Sequence, residues 1–449
     1  MRFTLFVSLL TLAACAGSTD IHTGNGGGSS AGGGSGNGSG GSNGGGGGGG
    51  GNGAGGGSAN GGGSGAGGGN PQDSFFAQCN QVSTTLAGTA FAPNGTDPVS
   101  APEISVWDHQ PQALPRGVAC ETCGAVTTDT PLATTTGATN GVFSLSLDSL
   151  KKAATLFVTV GKGRFRKVLA NVPISCGANN LTAGQSSLPK SSAEGDVPKI
   201  AISSGNKDHL EKVVSAMGIT EFDCVKGLPP GSSSETCTSG TTLGALLSDP
   251  NALAGYGLLF IACAPNDEYE PGSGTAPAGG AANLKNWVTQ GGKLVVTDDS
   301  YDYVEQLFPD AIDFQGTAGT PGNPQPTNTA EIGTAATSLT ATITDATLLA
   351  WLQLFPNTVT NGAVTVQGFL SKWAVQRAPG MGTDVIAHGA ASWTGGSGDV
   401  PLTSRFVVNG CGRVIFSSYH TDSGGTGLLP QERILEYLML EVAVCTQIN

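Results

Sequence analysis

The sequence predicts a multidomain chain in which an all-β sandwich is followed by a three-layer α/β domain, both carried on a disordered glycine-rich tether. Three observations carry that expectation. Glycine supplies 73 of 449 residues and is crowded near the N-terminus. Short alternating apolar segments broken by turns come next. From about residue 197 the apolar period changes, and short buried runs alternate with amphipathic helical stretches.

At the N-terminus, Arg2 supplies a positive charge, residues 3–12 a short apolar core, and Leu12-Ala13-Ala14-Cys15 an ending. The core is too short to cross a bilayer as a helix, so 1–15 reads as a cleaved signal peptide. Its ending resembles a bacterial lipobox, which implies that Cys15 is acylated and becomes the mature N-terminus. Several acyl chains anchor stably where one is marginal, so the membrane is the expected partner. Ala16 rather than Asp follows the cysteine, which resembles an outer-membrane destination and implies a lipoprotein of the cell envelope exposed at the surface. No other apolar run is long enough to span. Residues 16–73 are mainly Gly, Ser, Asn and Ala, cannot bury apolar surface, and are expected to stay disordered. The stretch from Gly24 to Gly69, almost wholly Gly, Ser, Asn and Ala, has a reach of roughly 35–40 Å as a flexible chain.

Formal net charge is −13, with 20 Lys and Arg against 33 Asp and Glu. That balance argues against a nucleic-acid partner. Charged residues make up 12% of the chain, about half the usual share, which fits an exported β-rich surface. One dense basic cluster occurs, at Lys162, Arg164, Arg166 and Lys167. It reads as a solvated strand face, with an anion or polysaccharide contact as the functional alternative.

Residues 74–190 form the expected sandwich. A strand begins within 82–91, and Pro93-Asn94-Gly95-Thr96-Asp97-Pro98 is a turn cluster. Ile104-Ser105-Val106-Trp107 alternates. Thr134 to Thr136 lead through Asn140-Gly141 into the alternating Val142-Phe143-Ser144-Leu145-Ser146-Leu147, a hairpin signal. Leu156-Phe157-Val158-Thr159-Val160 and the segment 168–174 complete the set, a spacing typical of sandwiches. The stretches LAGTAFAPNGTDPVSAPEISVW, TTTGATNGVFSLSL and LFVTVGKGRFRKVLANVP resemble the carboxypeptidase regulatory-like (prealbumin-like) domain. The resemblance implies a spacer or binding module without catalytic residues.

Residues 197–449 form the α/β domain. Lys199-Ile200-Ala201-Ile202-Ser203 is a strand, and Leu210, Val213, Val214 and Met217 mark a helix stopped by Gly218. Ile219 to Phe222 read as a second strand. Leu258-Leu259-Phe260-Ile261-Ala262 is buried and leads into Cys263. Leu284, Trp287 and Val288 mark a helix closed by Gly291-Gly292, and Lys293-Leu294-Val295-Val296-Thr297 is a strand ending in Asp298-Asp299. Residues 311–409 read as an irregular insertion with sheet-edge pieces near Val364 and Val385 and a helix from Thr347 to Phe355. Val414-Ile415-Phe416 is the last strand, followed by Ser417-Ser418-Tyr419-His420-Thr421-Asp422. In the closing helix Ile434, Leu435, Leu438 and Val442 share one face and glutamates the other.

The texts NLKNWVTQGGKLVVTDD and GCGRVIFSSYHTD resemble the class I glutamine amidotransferase-like superfold, including its trehalose-utilisation (ThuA) type. The whole resembles surface lipoproteins of myxobacterial type. The resemblance implies a flavodoxin-like sheet, with a nucleophilic Cys on a strand-to-helix elbow and a later His–acid pair. The matching positions are Cys263, His420 and Asp422. The elbow here reads Ile261-Ala262-Cys263-Ala264-Pro265 where G-x-C-x-G is expected, and Asp422 stands for Glu.

Ligands of such sheets bind beyond the carboxyl ends of the strands. The loops carrying Asn206-Lys207-Asp208, Asp267, Glu268 and Glu270, Asp298-Asp299, Asp302, and His420 with Asp422 are expected to converge there. Asp298, Asp299, Asp267 and Glu268 are the candidate ligands for calcium; no other cofactor is indicated. His388 joins His420 only if the insertion folds over the edge, and His22, His109 and His209 have no sequence partners.

Ten cysteines minus Cys15 leave nine, which in an exported chain should mostly pair. Cys411 and Cys445 bracket the last strand and helix and are expected to pair, as are Cys224 and Cys237 around a Gly-Ser loop. Cys79, Cys120, Cys123 and Cys176 favour disulfides over zinc, and Cys263 is the candidate left unbridged.

The leading reading is a non-enzymatic surface lipoprotein that binds or displays, with a polysaccharide or another surface protein as partner. The alternatives are an exported cysteine-dependent hydrolase or amidase using Cys263, His420 and Asp422, and a carbohydrate- or calcium-dependent adhesion protein.

Overall fold

A ten-stranded mixed sheet crosses the molecule, in the order Val359–Thr360, Ala363–Phe369, Ala336–Ile343, Thr383–Trp393, Gly396–Val408, Gly412–Ser417, Lys293–Thr297, Leu258–Ile261, Ile200–Ser203, Asp223–Val225. The computed structural model describes residues 71–120, 129–229, 232–237, 240–263, 271, 276–316, 323–369, 373–421 and 427–442. The signal peptide with Cys15, the tether up to residue 70, Cys123, Asp267, Glu268, Glu270, Asp422 and Cys445 lie outside them.

The last five strands of that order run parallel. In chain order they lie 2-1-3-4-5 across the sheet, so the direction of winding reverses between Ile200–Ser203 and Leu258–Ile261. Every residue of Ile200–Ser203, Leu258–Ile261 and Lys293–Thr297 is buried. The pleat sends alternate side chains to opposite faces. Leu258 and Phe260 join one apolar core with Val213, Val214 and Ile434. Leu259 and Ile261 join another with Leu243, Leu284 and Trp287. Helices thus cover both faces, giving a three-layer α/β domain. The second strand sits at Asp223–Val225 rather than at Ile219 to Phe222.

The other half of the sheet is antiparallel, and it is built from the stretch that reads as an irregular insertion in sequence. Its long hairpin, Thr383–Trp393 with Gly396–Val408, carries Gly389, Gly398 and Pro401 where a buried strand would show aliphatics. One-sided burial needs only alternate apolar residues, so the signal is weak.

Residues 85–180 form two smaller sheets. Val142–Ser146, Thr85–Thr89 and Ala178–Asn180 make three strands; Ala133–Thr136, Glu103–Trp107, Thr155–Lys162 and Phe165–Pro173 make four. Leu86, Phe143, Ile104, Val106, Val158 and Val160 share one core. The Asn140-Gly141 segment does turn, with Gly141 N–H donating to the Ala138 carbonyl at 2.9 Å. It does not close a hairpin, however. Ala133–Thr136 pairs with Glu103–Trp107 and Val142–Ser146 with Thr85–Thr89, so the turn passes the chain between sheets. A turn sequence fixes the local bend, while the pairing partner is fixed by which sheet buries the apolar side chains.

The basic cluster is not a uniformly solvated face: Lys162 and Arg164 are buried, while Arg166 and Lys167 are half-buried and paired. Lys162 is 6% exposed and pairs with Glu441 at 2.7 Å. Arg164, 2% exposed, donates to the Gly117 and Ala119 carbonyls at 2.7 and 2.6 Å. Arg166 pairs with Asp196 at 2.7 Å, and the Lys167 ammonium donates to the Gly184 carbonyl at 2.9 Å. Charges of this kind enter an interior only with partners that replace their hydration.

The smaller sheets are fastened to the α/β domain rather than hung beside it. The Trp351 indole donates to the Pro98 carbonyl at 2.6 Å, and Arg433 pairs with Asp97 at 2.8 Å while lying 3.7 Å over the Phe355 ring. Cys120 is bonded to Cys411, with Cα atoms 5.0 Å apart across 291 residues of sequence. This corrects the expected Cys411–Cys445 pair: bracketing one strand and helix says nothing of which loop from elsewhere lies against Cys411. Cys79 is bonded to Cys176 and Cys224 to Cys237.

The closing helix, Pro430–Val442, is also enclosed on more than its apolar face. Glu432 and Glu436, expected on the solvent side, are both 0% exposed. Burial holds the Glu436 carboxyl well above the ordinary carboxylate range, the nearby Asp97 adds to this, and Arg433 opposes it.

Candidate functional site

The carboxyl edge of the parallel strands is organised by one buried carboxylate, Asp208, in the loop after Ile200–Ser203. Its Oδ1 accepts the Thr421 N–H at 2.8 Å; its Oδ2 accepts the Cys263 N–H at 3.2 Å and the Thr297 hydroxyl. The Thr297 oxygen also accepts the Cys263 N–H at 3.0 Å. Asp208 therefore ties together the loops that follow the third, fourth and fifth parallel strands. Asn206 N–H donates to the Cys263 carbonyl at 3.2 Å. Gly205 permits that approach, since a Cβ there would stand 2.4 Å from the same carbonyl oxygen.

Upon this frame stand Cys263, Asp298 and His420. They are 0%, 1% and 6% exposed, and one donor atom from each lies within 4.8 Å of the other two. His420 Nε2 is 2.8 Å from Asp298 Oδ2. Among the described residues, Cys263 is the cysteine outside a disulfide. Asp298 takes a left-handed backbone conformation, φ 51°, as the strand turns into a short 3-10 helix. A non-glycine residue held there carries strain, which makes the position worth attention. Burial raises the Asp298 carboxyl above its ordinary range, and the His420 imidazole opposes the rise.

The sequence candidates are therefore regrouped. Cys263 and His420 come together, and the carboxylate beside the imidazole is Asp298. Asp422 lies outside the described residues. Of the candidate calcium ligands, Asp298 faces a thiol and an imidazole instead of an oxygen cage, Asp299 is half-buried, and Asp267 and Glu268 lie outside the described residues. His388 pairs with Asp399 across the hairpin at 2.7 Å, and His109 lies between Asp108 and Asp129. Buried Asp302 is tied to Gln306 and to the Asn328 N–H.

Sequence reasoning placed Asp208 in a converging loop without giving it a role. The available signal was an acid shortly after Ser204-Gly205, at the end of a wholly buried strand. The partnership of Asp298 with His420 had no such signal, because 121 residues intervene between the two, which follow strands that only the sheet makes neighbours.

The geometry separates two kinds of chemistry. In a nucleophile–imidazole–acid relay the nucleophile and acid sit on opposite ring nitrogens, which places them roughly 7 Å apart. Here the sulfur and the carboxylate oxygen are within 4.8 Å. The three donors converge on a point rather than forming a line.

No protein-family model matches the sequence, and no curated protein matches it either. Solved structures similar to the chain include a cytoplasmic protein from Salmonella typhimurium, at 9% identity over 56% of this chain and 100% of that one, with a TM-score of 0.31. A putative ThuA-like protein from Parabacteroides merdae is 13% identical over 56% of this chain and 91% of that one, with a TM-score of 0.32. Both scores are low, and the α/β assignment rests on the strand order and the two cores.

Proposed function

We propose that this protein is a lipid-anchored envelope protein whose folded part is a rigid body for binding or display rather than a thiol hydrolase. The anchor is Cys15, and the glycine-rich segment holds the body away from the membrane. The N-terminal sheets are of the carboxypeptidase regulatory-like type and the parallel half of the large sheet is of the amidotransferase-like, ThuA type. Disulfides that join distant segments suit an oxidising compartment outside the cytoplasm.

The observation that carries the non-hydrolytic reading is the convergence of Cys263, Asp298 and His420 within 4.8 Å, all buried. That arrangement lacks the in-line order by which an acid orients an imidazole and the imidazole activates a thiol. Iodoacetamide labelling of the folded, chelator-treated full chain across pH, read by mass spectrometry, tests it. Cys263 should stay unlabelled until the chain unfolds. Labelling of the folded protein with a midpoint well below the ordinary thiol value of about 8.5 would overturn the reading. For the anchor, Cys15→Ser should move the protein from the membrane fraction to the soluble one, and a variant that stays membrane-bound would refute acylation there.

A second reading, an exported cysteine-dependent hydrolase, is favoured by the closeness of Cys263 to His420 at the carboxyl edge of the sheet. The same labelling experiment decides between the two.

A further inference from the structure

We propose that Cys263, Asp298 and His420 form a binding site for a divalent transition metal of the zinc class. The inference goes beyond the display reading and stands whether or not Cys15 is acylated.

The donor set is the first argument. A thiolate, an imidazole and a carboxylate are the three ligand types that zinc combines, whereas calcium and magnesium take oxygen alone. The second argument is convergence. Zinc bonds of about 2.0–2.3 Å at tetrahedral angles place donors roughly 3.3–3.6 Å apart. The three atoms lie within 4.8 Å of one another, with Asp298 and His420 at 2.8 Å. Against a ligand spacing of roughly 3.6 Å, the 4.8 Å bound leaves at most about an ångström of donor movement to a ligand triangle.

The third argument is support. Metal sites depend on the hydrogen-bonded layer that surrounds and orients the ligands, and a frame that holds the ligand-bearing loops serves the same end. Asp208 supplies that frame, since it accepts the N–H of Cys263 itself, the N–H of Thr421 beside His420, and the hydroxyl of Thr297 beside Asp298. One carboxylate thus fixes all three ligand-bearing loops. The fourth argument is place: the loops follow the third, fourth and fifth strands of a 2-1-3-4-5 sheet, at the carboxyl edge where doubly wound sheets bind ligands.

Binding replaces the thiol S–H bond by a sulfur–metal bond, and the proton leaves to solvent, so uptake releases acid. Three protein ligands leave a tetrahedral position open for water or for a group brought by a partner.

Cobalt(II) tests the site directly. The full chain, purified without a polyhistidine tag and stripped with chelator, is titrated with Co²⁺ and followed by absorption. One equivalent should bind with a thiolate-to-cobalt charge-transfer band that zinc then abolishes. Cys263→Ser should lose the band, and Asp298→Asn and His420→Gln should each weaken binding tenfold or more. A saturating titration without the band overturns the site, as does a band that persists in Cys263→Ser. The unsubstituted protein decides the matter even where a variant fails to fold. A missing band leaves the display reading intact, because that reading fails on thiol labelling and membrane fractionation instead.

Discussion

The two halves of the large sheet belong to one hydrogen-bonded ladder but are written in different chemistry. In the parallel half, Ile200–Ser203, Leu258–Ile261 and Lys293–Thr297 are buried at every position. In the antiparallel half, Ala363–Phe369 buries only Val364, Val366 and Phe369, and Ala336–Ile343 only Ala341 and Ile343. Helices on both faces demand continuous apolar runs, and a face left to solvent demands only alternation. The fully enclosed half is also the one that carries buried titratable groups at its edge. Isolation from water makes Asp208, Asp298 and His420 dependent on one another, since an unpaired polar group there has no solvent to turn to.

The largest expected effect is at Asp208. Asp208→Ala takes the acceptor from the Thr421 N–H and the Thr297 hydroxyl, and one of two acceptors from the Cys263 N–H. It should cost about 3–5 kcal/mol, read as a lower urea midpoint with an unchanged slope. A loss under about 1 kcal/mol would mean that water replaces the carboxylate, and the edge would not be the closed frame described.

Paired substitutions sharpen the contrast between halves. Phe260→Ala and Ile261→Ala, neighbours whose side chains enter opposite cores, should each cost about 2–5 kcal/mol. In the antiparallel strand, Val366→Ala should cost about 1–3 kcal/mol, while the adjacent exposed Thr365→Ala should stay within about 0.5 kcal/mol. Equal costs at Val366 and Thr365, measured by chemical denaturation, would show that this strand is covered on both faces.

An effect smaller than those of the buried aromatic and aliphatic substitutions at Phe260 and Ile261 is a pH dependence. Glu305, 3% exposed, follows the Lys293–Thr297 strand, and burial raises its carboxyl from 4.5 to about 7, with Asp302 and Asp313 adding to the rise against the opposing Gln325 N–H and Arg377. The folded state therefore holds this proton more tightly than the unfolded chain. Stability should fall as pH rises from about 4.5 to about 7 and then level off, by on the order of 1–3 kcal/mol. Glu305→Gln should flatten that fall in denaturation series across the window. An unchanged slope would assign the dependence to Asp298 and Glu436, whose carboxyls are raised in the same sense.

The parallel half was legible because its chemistry is redundant: runs of three to five consecutive apolar residues, a helix with 3.6-residue spacing, and a glycine stop all point the same way. The antiparallel half was not. Residues such as Gly389, Gly398 and Pro401 break the strand signal locally, and a partner strand compensates only after folding. The fate of Lys162, Arg164, Arg166 and Lys167 was equally hidden. A run of cations reads as solvated until the carbonyls of Gly117, Ala119 and Gly184 and the carboxylates of Glu441 and Asp196 are brought around it.

By itself the sequence determined the four parallel strands near 199–203, 258–262, 293–297 and 414–416, the amphipathic helices at 210–217, 284–288 and 434–442 that follow three of them, and that Cys263 and His420 follow strand ends. Those are local properties, set by side-chain volume, period and turn chemistry within a few residues. Only the tertiary structure decided that Asp298 is the carboxylate beside His420, that Cys120 reaches Cys411, and that Asp208 holds three loops at once. Contacts between residues far apart in the chain depend on which strands become neighbours, and strand order is a property of how the whole sheet buries its two faces.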